Sequence, residues 1–249
     1  MADTAEPSAS EAAAAPTLYH LEHSQSMRVL WALEELAESH GLQFNLKKYP
    51  RIKGRADPAL KKIFPLGKSP ILVVPHVEGR ADSPVTLTES RLILQFLSDT
   101  YSKGEWVPSN TTDKMRDSYF QEFANNSLGT TYILMIVFAA LPVQSPFFIR
   151  PLMSAISNGA NGMIRKELDA PHKLMEEALS DEKPWFSGEK IGLADFNMSW
   201  QMDVAVQRGY LDGKKFPKVQ AWVERVHARP AYKRALERGS PYDLVRFGV

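Results

Sequence analysis

Lys68, Ser69, Glu89 and Ser90 are the residue types needed to hold a small zwitterion by both ends. The first two sit in Phe64-Pro65-Leu66-Gly67-Lys68-Ser69-Pro70-Ile71-Leu72, and the others in Thr88-Glu89-Ser90-Arg91. A carboxylate such as Glu89 suits an ammonium group. A lysine, or the amides and hydroxyl at a helix start, suits a carboxylate. Two prolines and a glycine interrupt the chain just before Ile71-Leu72-Val73-Val74, a strongly β-prone run. Proline is tolerated at a strand start, where no ladder N–H is needed. A cis Ser69–Pro70 bond is expected there, leaving the Ser69 N–H and C=O outward for an extended peptide. These parts describe a pocket for a short, zwitterionic, carboxylate-ended peptide.

The pattern Pro65-x-Gly67-Lys68-x-Pro70-x-Leu72, with Glu89-Ser90 at a helix start, resembles the glutathione-binding half of cytosolic glutathione transferases. In pattern it is most similar to the fungal enzymes of the yeast type. The resemblance implies glutathione as co-substrate, no other cofactor and no metal, a hydrophobic electrophile as second substrate, and a homodimer. Lys68 would meet the glycyl carboxylate, Ser69 would pair its backbone with the cysteinyl unit, and Glu89 and Ser90 would hold the γ-glutamyl end. Taken singly, Lys68 reads as a solvated lysine and Glu89 as a capping box with Thr86. Their joint occurrence around Pro70 is what makes the pattern specific.

Glutathione transfer needs the thiolate, and a thiol with pKa near about 8.5 is only a few per cent ionised at pH 7. Lowering that pKa by about two units takes ~2.7 kcal/mol. A hydroxyl hydrogen bond to the anion contributes about 1.5–3 kcal/mol and a helix N-terminus ~0.3–1. The residue wanted is a hydroxyl between the first strand and the first helix. Ser24 fits, and Ser24-x-x-x-Arg28 matches the serine-type members of the family. The plainer reading makes Ser24 or Ser26 a helix cap. Ser26 is the second candidate for the sulfur contact and Tyr19 the third. His20, His23 and Ser24 lack the acid and the mutual orientation of a hydrolase triad. Phe120, Phe123, Asn126, Ser127 and Thr130 follow helical spacing and could face an electrophile site between domains, although such a stripe is more often core.

The elements that must position these residues read as a thioredoxin-like domain over 17–104, of order βαβαββα, then an all-helical domain over 108–249. Residues 18–21 and 43–49 are strands. A helix from Ser24 carries an apolar stripe against Glu34, Glu35 and Glu38, and Gly41 stops it. Asp57-Pro58 starts a short helix, and Glu78 to Pro84 is a hairpin loop. In the second half, loops are expected at 142–146, 157–162, 180–192 and 209–216, with one long helix through Leu141. Gly192 stands where the family has a Ser or Thr cap paired with Asp195, so one cap hydrogen bond is lost.

Composition narrows the class. The 249 residues carry 30 Lys and Arg against 29 Asp and Glu, so nothing global favours nucleic acid. With no cysteine, disulfides, thiolate metal sites and a cysteine nucleophile are excluded. Residues 1–16 read as a disordered tail without targeting features, and the apolar run 132–141 is far short of the ~20 residues a bilayer span needs. The expectation is a cytoplasmic glutathione transferase. The alternatives are a glutathione-dependent peroxidase and a non-catalytic glutathione- or ligand-binding regulatory protein of the same fold.

Overall fold

The structure, a computed structural model, describes residues 15–52, 54–76 and 84–245. The expected hairpin loop lies outside these residues except for Pro84, and so does nearly all of the expected tail. Ala15 is buried and the Pro16 carbonyl accepts the Asn45 amide at 2.8 Å, so residues 15 and 16 belong to the folded body.

Strand β1 (Thr17–Leu21) lies in the middle of a four-stranded sheet of order β2-β1-β5-β6. β2 (Asn45–Tyr49) runs parallel to it, β5 (Ile71–Val74) runs antiparallel to it, and β6 (Val85–Thr88) runs antiparallel to β5 and so in the direction of β1. Helix α1 (Ser26–His40) ends where Gly41 adopts φ +67° and its amide returns to the Ala37 carbonyl. Between β2 and β5 the chain makes a ribbon of two short strands, β3 (Arg51–Ile52) and β4 (Arg55–Ala56). The expected short helix after it is a 3-10 turn, Pro58–Lys62, capped by Asp57 through the Ala59 amide at 2.8 Å. The thioredoxin-like order thus holds, with a ribbon added and its second helix reduced to a tight turn. Helix α2 (Ser90–Tyr101) closes this half.

Helices alone follow. α3 (Thr111–Glu122) passes through a π-helical stretch, Phe123–Leu128, into α4 (Gly129–Gln144). The rod therefore extends beyond Pro142, which falls in its last turn. Over Thr111–Gln144 it has the length and apolarity of a membrane span. It nonetheless packs against α7 (Leu193–Gln207) and α5 (Arg150–Glu167). The loop expected at 157–162 is the middle of α5. Ser157 is buried and Ala160, Asn161 and Ile164 follow it at helical spacing, which gives the helix an inward face despite Gly159 and Gly162. α6 (Asp169–Ala178), α8 (Pro217–Ala228) and α9 (Pro230–Gly239) complete the chain.

The two halves share one core. Trp31 of α1 packs edge-on against Phe196 of α7 and Tyr232 of α9, with ring centroids 4.6 and 5.5 Å apart. The glutamates opposite the apolar stripe of α1 meet arginines at α9, and two of them, Glu34 and Glu35, are buried. Glu35 takes two bonds from Arg229 at 2.5 and 2.6 Å, and Glu34 and Glu38 meet Arg238 and Arg234. Asp195 accepts from the Gly192 and Phe186 amides and from Trp222 Nε1. The cap oxygen that Gly192 lacks comes from the neighbouring helix, where Asp117 Oδ1 accepts the Ala194 amide at 2.8 Å. A side chain at 192 would meet Ser187 Oγ at 2.5 Å, so the site is packed for glycine.

Candidate active site

A cavity of about 900 Å³ opens where β1 ends and α1 and α2 begin. That is near the upper end of the ~300–1,000 Å³ typical of small-molecule sites. Ser24, Lys68, Ser69, Pro70, Glu89 and Ser90 all line it, so the structure brings together every glutathione-contact residue expected from the sequence. The Ser69–Pro70 bond is cis, as expected. A second cis bond, Ser240–Pro241, had no signal in the sequence.

Ser69 is pinned by its hydroxyl, which donates to the Tyr19 carbonyl at 2.9 Å and accepts the Leu21 amide at 3.0 Å. Its backbone amide and carbonyl enter none of the turn and loop hydrogen bonds among the described residues. Gly67, at φ +58°, is required for conformation and for space, since a Cβ there would lie 2.6 Å from Lys61 Cγ. Lys61 therefore lies over the same loop that presents Lys68. Glu89 has φ +66°, an uncommon conformation for a residue with a side chain, with a cost of order 1–3 kcal/mol. It makes no cap hydrogen bond, so the capping box with Thr86 does not form. The strain aims a carboxylate at the cavity wall, beside the buried Ser90 that opens α2.

The Ser24 hydroxyl donates to the Leu21 carbonyl at 2.7 Å and accepts the Ser26 amide at 3.2 Å. It is thus a local turn former and a cavity wall at once. The other two candidates for the sulfur contact do not line the cavity. Ser26 is buried against His20 Nδ1 at 3.0 Å. Tyr19 packs on Tyr49 with Lys47 over its ring. His20 lies between Ser26 and the Gly239 carbonyl, and burial lowers its pKa to about 4. His23 accepts the Asp243 amide, so neither histidine addresses Ser24.

None of the five residues expected at an electrophile site lines this cavity. Phe120 and Phe123 are core residues, Phe120 packing on Phe186 at 4.8 Å. Asn126 bonds Glu122, the Ser127 carbonyl takes a bond from Thr131, and Thr130 is exposed. The π-helical turn at 123–128 adds residues per turn, so the face on which these positions were placed does not persist.

The walls that sequence reasoning missed include three cations. Arg51, Arg55 and Lys61 join Gln25 and Thr88 around the cavity. Their signal was present as the basic run from Lys47 to Lys68, but nothing local said which way it faced. Arg51 donates to the Glu22, His23 and Gly54 carbonyls, and burial lowers its pKa to about 10. Arg28 is fully buried behind the cavity, bonded to Asn125 at 2.8 Å and to the Asn197 carbonyl at 3.2 Å, and burial brings its pKa to about 10. Its second nitrogen takes the Gln25 side chain as partner, which ties the cavity wall to the helical half. Among the described residues no group of three or more His, Asp or Glu side chains could hold a metal ion.

Comparison with known proteins agrees with this geometry. The family model described as glutathione S-transferase, N-terminal domain, matches residues 24–100, and that of the C-terminal domain matches residues 160–230. Glutathione S-transferase 3 of Schizosaccharomyces pombe is 31% identical over 92% of this chain and 90% of its own. Glutathione S-transferase 1 of Saccharomyces cerevisiae is 24% identical over 89% of this chain and 94% of its own. A crystal structure of a glutathione transferase family member from Pseudomonas fluorescens, with two glutathione bound, shares the fold. Its TM-score is 0.69 at 21% identity, covering 90% of this chain and 93% of that one. The chain belongs to the glutathione S-transferase family.

Proposed function

We propose that the protein conjugates glutathione to an electrophile, with the peptide bound in the cavity beside Pro70. Glu89 takes the α-ammonium of the γ-glutamyl unit and the start of α2 at Ser90 takes its carboxylate. The Ser69 backbone pairs with the cysteinyl unit, and Lys68 meets the glycyl carboxylate. The observation that carries this reading is the strained carboxylate of Glu89, held uncapped at the cavity wall. Relatives bearing the glutathione S-transferase name, and a neighbour crystallised with glutathione, support the choice of peptide.

Ser24 donates its hydroxyl to the glutathione sulfur and so favours the thiolate, which forms the new bond as the leaving group departs from the electrophile. To do so it must turn from the Leu21 carbonyl, giving up a neutral hydrogen bond worth about 0.5–1.5 kcal/mol. Set against ~1.5–3 for the bond to the anion and ~0.3–1 from the start of α1, about 1–2 kcal/mol remains. That lowers the thiol pKa by about one unit, and the cations of the cavity act in the same direction. The bond to Leu21 also favours a second reading, in which the protein binds glutathione without activating it.

Steady-state conjugation of an aromatic halide separates the two, and a peroxide assay with the same preparation reports the peroxidase alternative. Turnover lost in Ser24→Ala supports the first reading. Glutathione binding without turnover of either substrate supports the second. Homodimer formation is also proposed. Leu134, Val137, Phe147, Phe148, Leu152 and Ile156 are exposed on or between α4 and α5, and light scattering on the purified protein reads the mass.

A further inference from the structure

Arg28 is the one buried Lys or Arg among the described residues, and the fold gives it no opposite charge. It enters no ion pair among those residues. Its Nη1 donates to Asn125 Oδ1 at 2.8 Å, to the Asn197 carbonyl at 3.2 Å and to Asn197 Oδ1 at 3.4 Å, and its Nη2 donates to Gln25 Oε1. Every one of these partners is neutral, and Nε has none among the described residues. The titratable group that faces Arg28 is Tyr242, whose phenol burial keeps protonated and which donates to Asp203. Asp203 in turn is shared by Tyr232, Tyr242 and His227. The two asparagines are oriented by their own nitrogens. Asn125 Nδ2 donates to the Gln121 carbonyl and to Asn197 Oδ1, and Asn197 Nδ2 donates to the Leu193 carbonyl. Asn125 lies in the π-helical stretch, a distortion frequent at functional sites.

A neutral side chain could tie the two halves together here at less cost, because a buried unpaired charge gives up its hydration with no ion pair in return. What the charge adds is a field, and away from water that field is weakly screened. Arg28 lies in the first turn of α1, four residues after Ser24. Gln25, whose oxygen it holds, lines the cavity and offers it an N–H end. We propose that Arg28 is a positioning residue for the transfer: through Gln25 and through its own unpaired charge, it favours the thiolate of glutathione in the cavity. This rests on the glutathione reading above. Asn125 and Asn197 hold the guanidinium in place before the peptide binds, so no reorganisation is needed when the thiol ionises.

Supplying the missing counter-charge tests this while leaving Arg28 in place. Asn125 does not line the cavity, and an aspartate there would ionise beside the guanidinium. Ultraviolet titration of glutathione bound to the full chain should find the thiol pKa raised by about half to one unit in Asn125→Asp, a roughly three- to tenfold loss of thiolate. Calorimetry at pH 6, where the thiol is protonated in both proteins, should find the same glutathione affinity within about twofold, and the urea midpoint should not fall. Arg28→Lys, which keeps the charge, should stay near the wild-type pKa. A lowered wild-type pKa that does not move in Asn125→Asp overturns the proposal. So does a loss of affinity at pH 6, which would make Arg28 a strut for the cavity wall. If Asn125→Asp does not fold, Asn197→Asp brings the carboxylate from α7 and is read the same way. A wild-type thiol that titrates at its free value would instead sink the underlying glutathione-transfer reading.

Discussion

The seam between α1 and α9 and the cavity at the other end of α1 are both rich in charge, and they handle it in opposite ways. On the seam each acid has a cation: Glu35 with Arg229, Glu34 with Arg238 and Arg234, and Glu38 with Arg234. Glu34 and Glu35 are buried, and Glu35 also accepts Trp31 Nε1 at 2.8 Å. In the cavity, Arg55, Lys61 and Lys68 face a shared space without carboxylate partners among the described residues, and Glu89 holds a strained backbone. Charge that the fold answers supports the fold. Charge that it leaves unanswered around a cavity is available to a ligand.

Acid should expose this difference most strongly. His20, at the end of the seam beside Gly239, and His172, bonded to Tyr132, are both buried with pKa values lowered from 6.5 to about 4. A lowered histidine pKa means that the unfolded chain binds protons first. Stability is therefore full above pH 6.5 and is lost as pH falls toward 4, by on the order of 3 kcal/mol per histidine. Urea unfolding at pH 7 and pH 4.5 should show the loss, and His20→Gln should remove about half of it. A pH-independent midpoint would contradict the burial argument.

Next in size is Glu35→Ala, which strands Arg229 and removes the Trp31 partner. It should cost about 3 kcal/mol, with the Arg229→Ala double variant recovering part of it. A cost below about 0.5 kcal/mol, the level of an ordinary surface change, would reduce the seam to solvated charge.

The cavity should behave in reverse. Glu89→Gly relieves a positive φ and should raise stability by up to about 1 kcal/mol, yet weaken glutathione binding by about tenfold. Lys68→Ala, at an exposed position, should leave stability within about 0.5 kcal/mol and weaken glutathione binding a few-fold. Loss of stability in both, with affinity unchanged, would make the cavity charges structural and erase the contrast.

The cavity was the more legible of the two regions because its signals are local. Proline, glycine and a helix start fix the backbone near the residues that matter, so Lys68, Ser69, Pro70, Glu89 and Ser90 could be assigned together. Ser24 was placed by its position between a strand and a helix. The seam was illegible for the opposite reason. Periodicity gives α1 a polar face, but α9, which covers it, lies about two hundred residues away, so nothing local showed that Glu34 and Glu35 are buried. Phe120 and Phe123 face the core, as an aromatic stripe more often does, and after them a π-helical turn shifts the helical phase without a residue signature. The side chains of Ser26 and Tyr19 could be assigned to a segment but not to a face, and the same held for Arg55 and Lys61.

Ultraviolet titration of glutathione bound to the protein shows whether this cavity makes a thiolate, as proposed. The wild type should ionise its bound thiol about one unit or more below the free value of about 8.5, and Ser24→Ala should move that pKa back up while still binding glutathione. A bound thiol that titrates at the free value in the wild type, or one whose lowered value is unchanged in Ser24→Ala, would contradict the account.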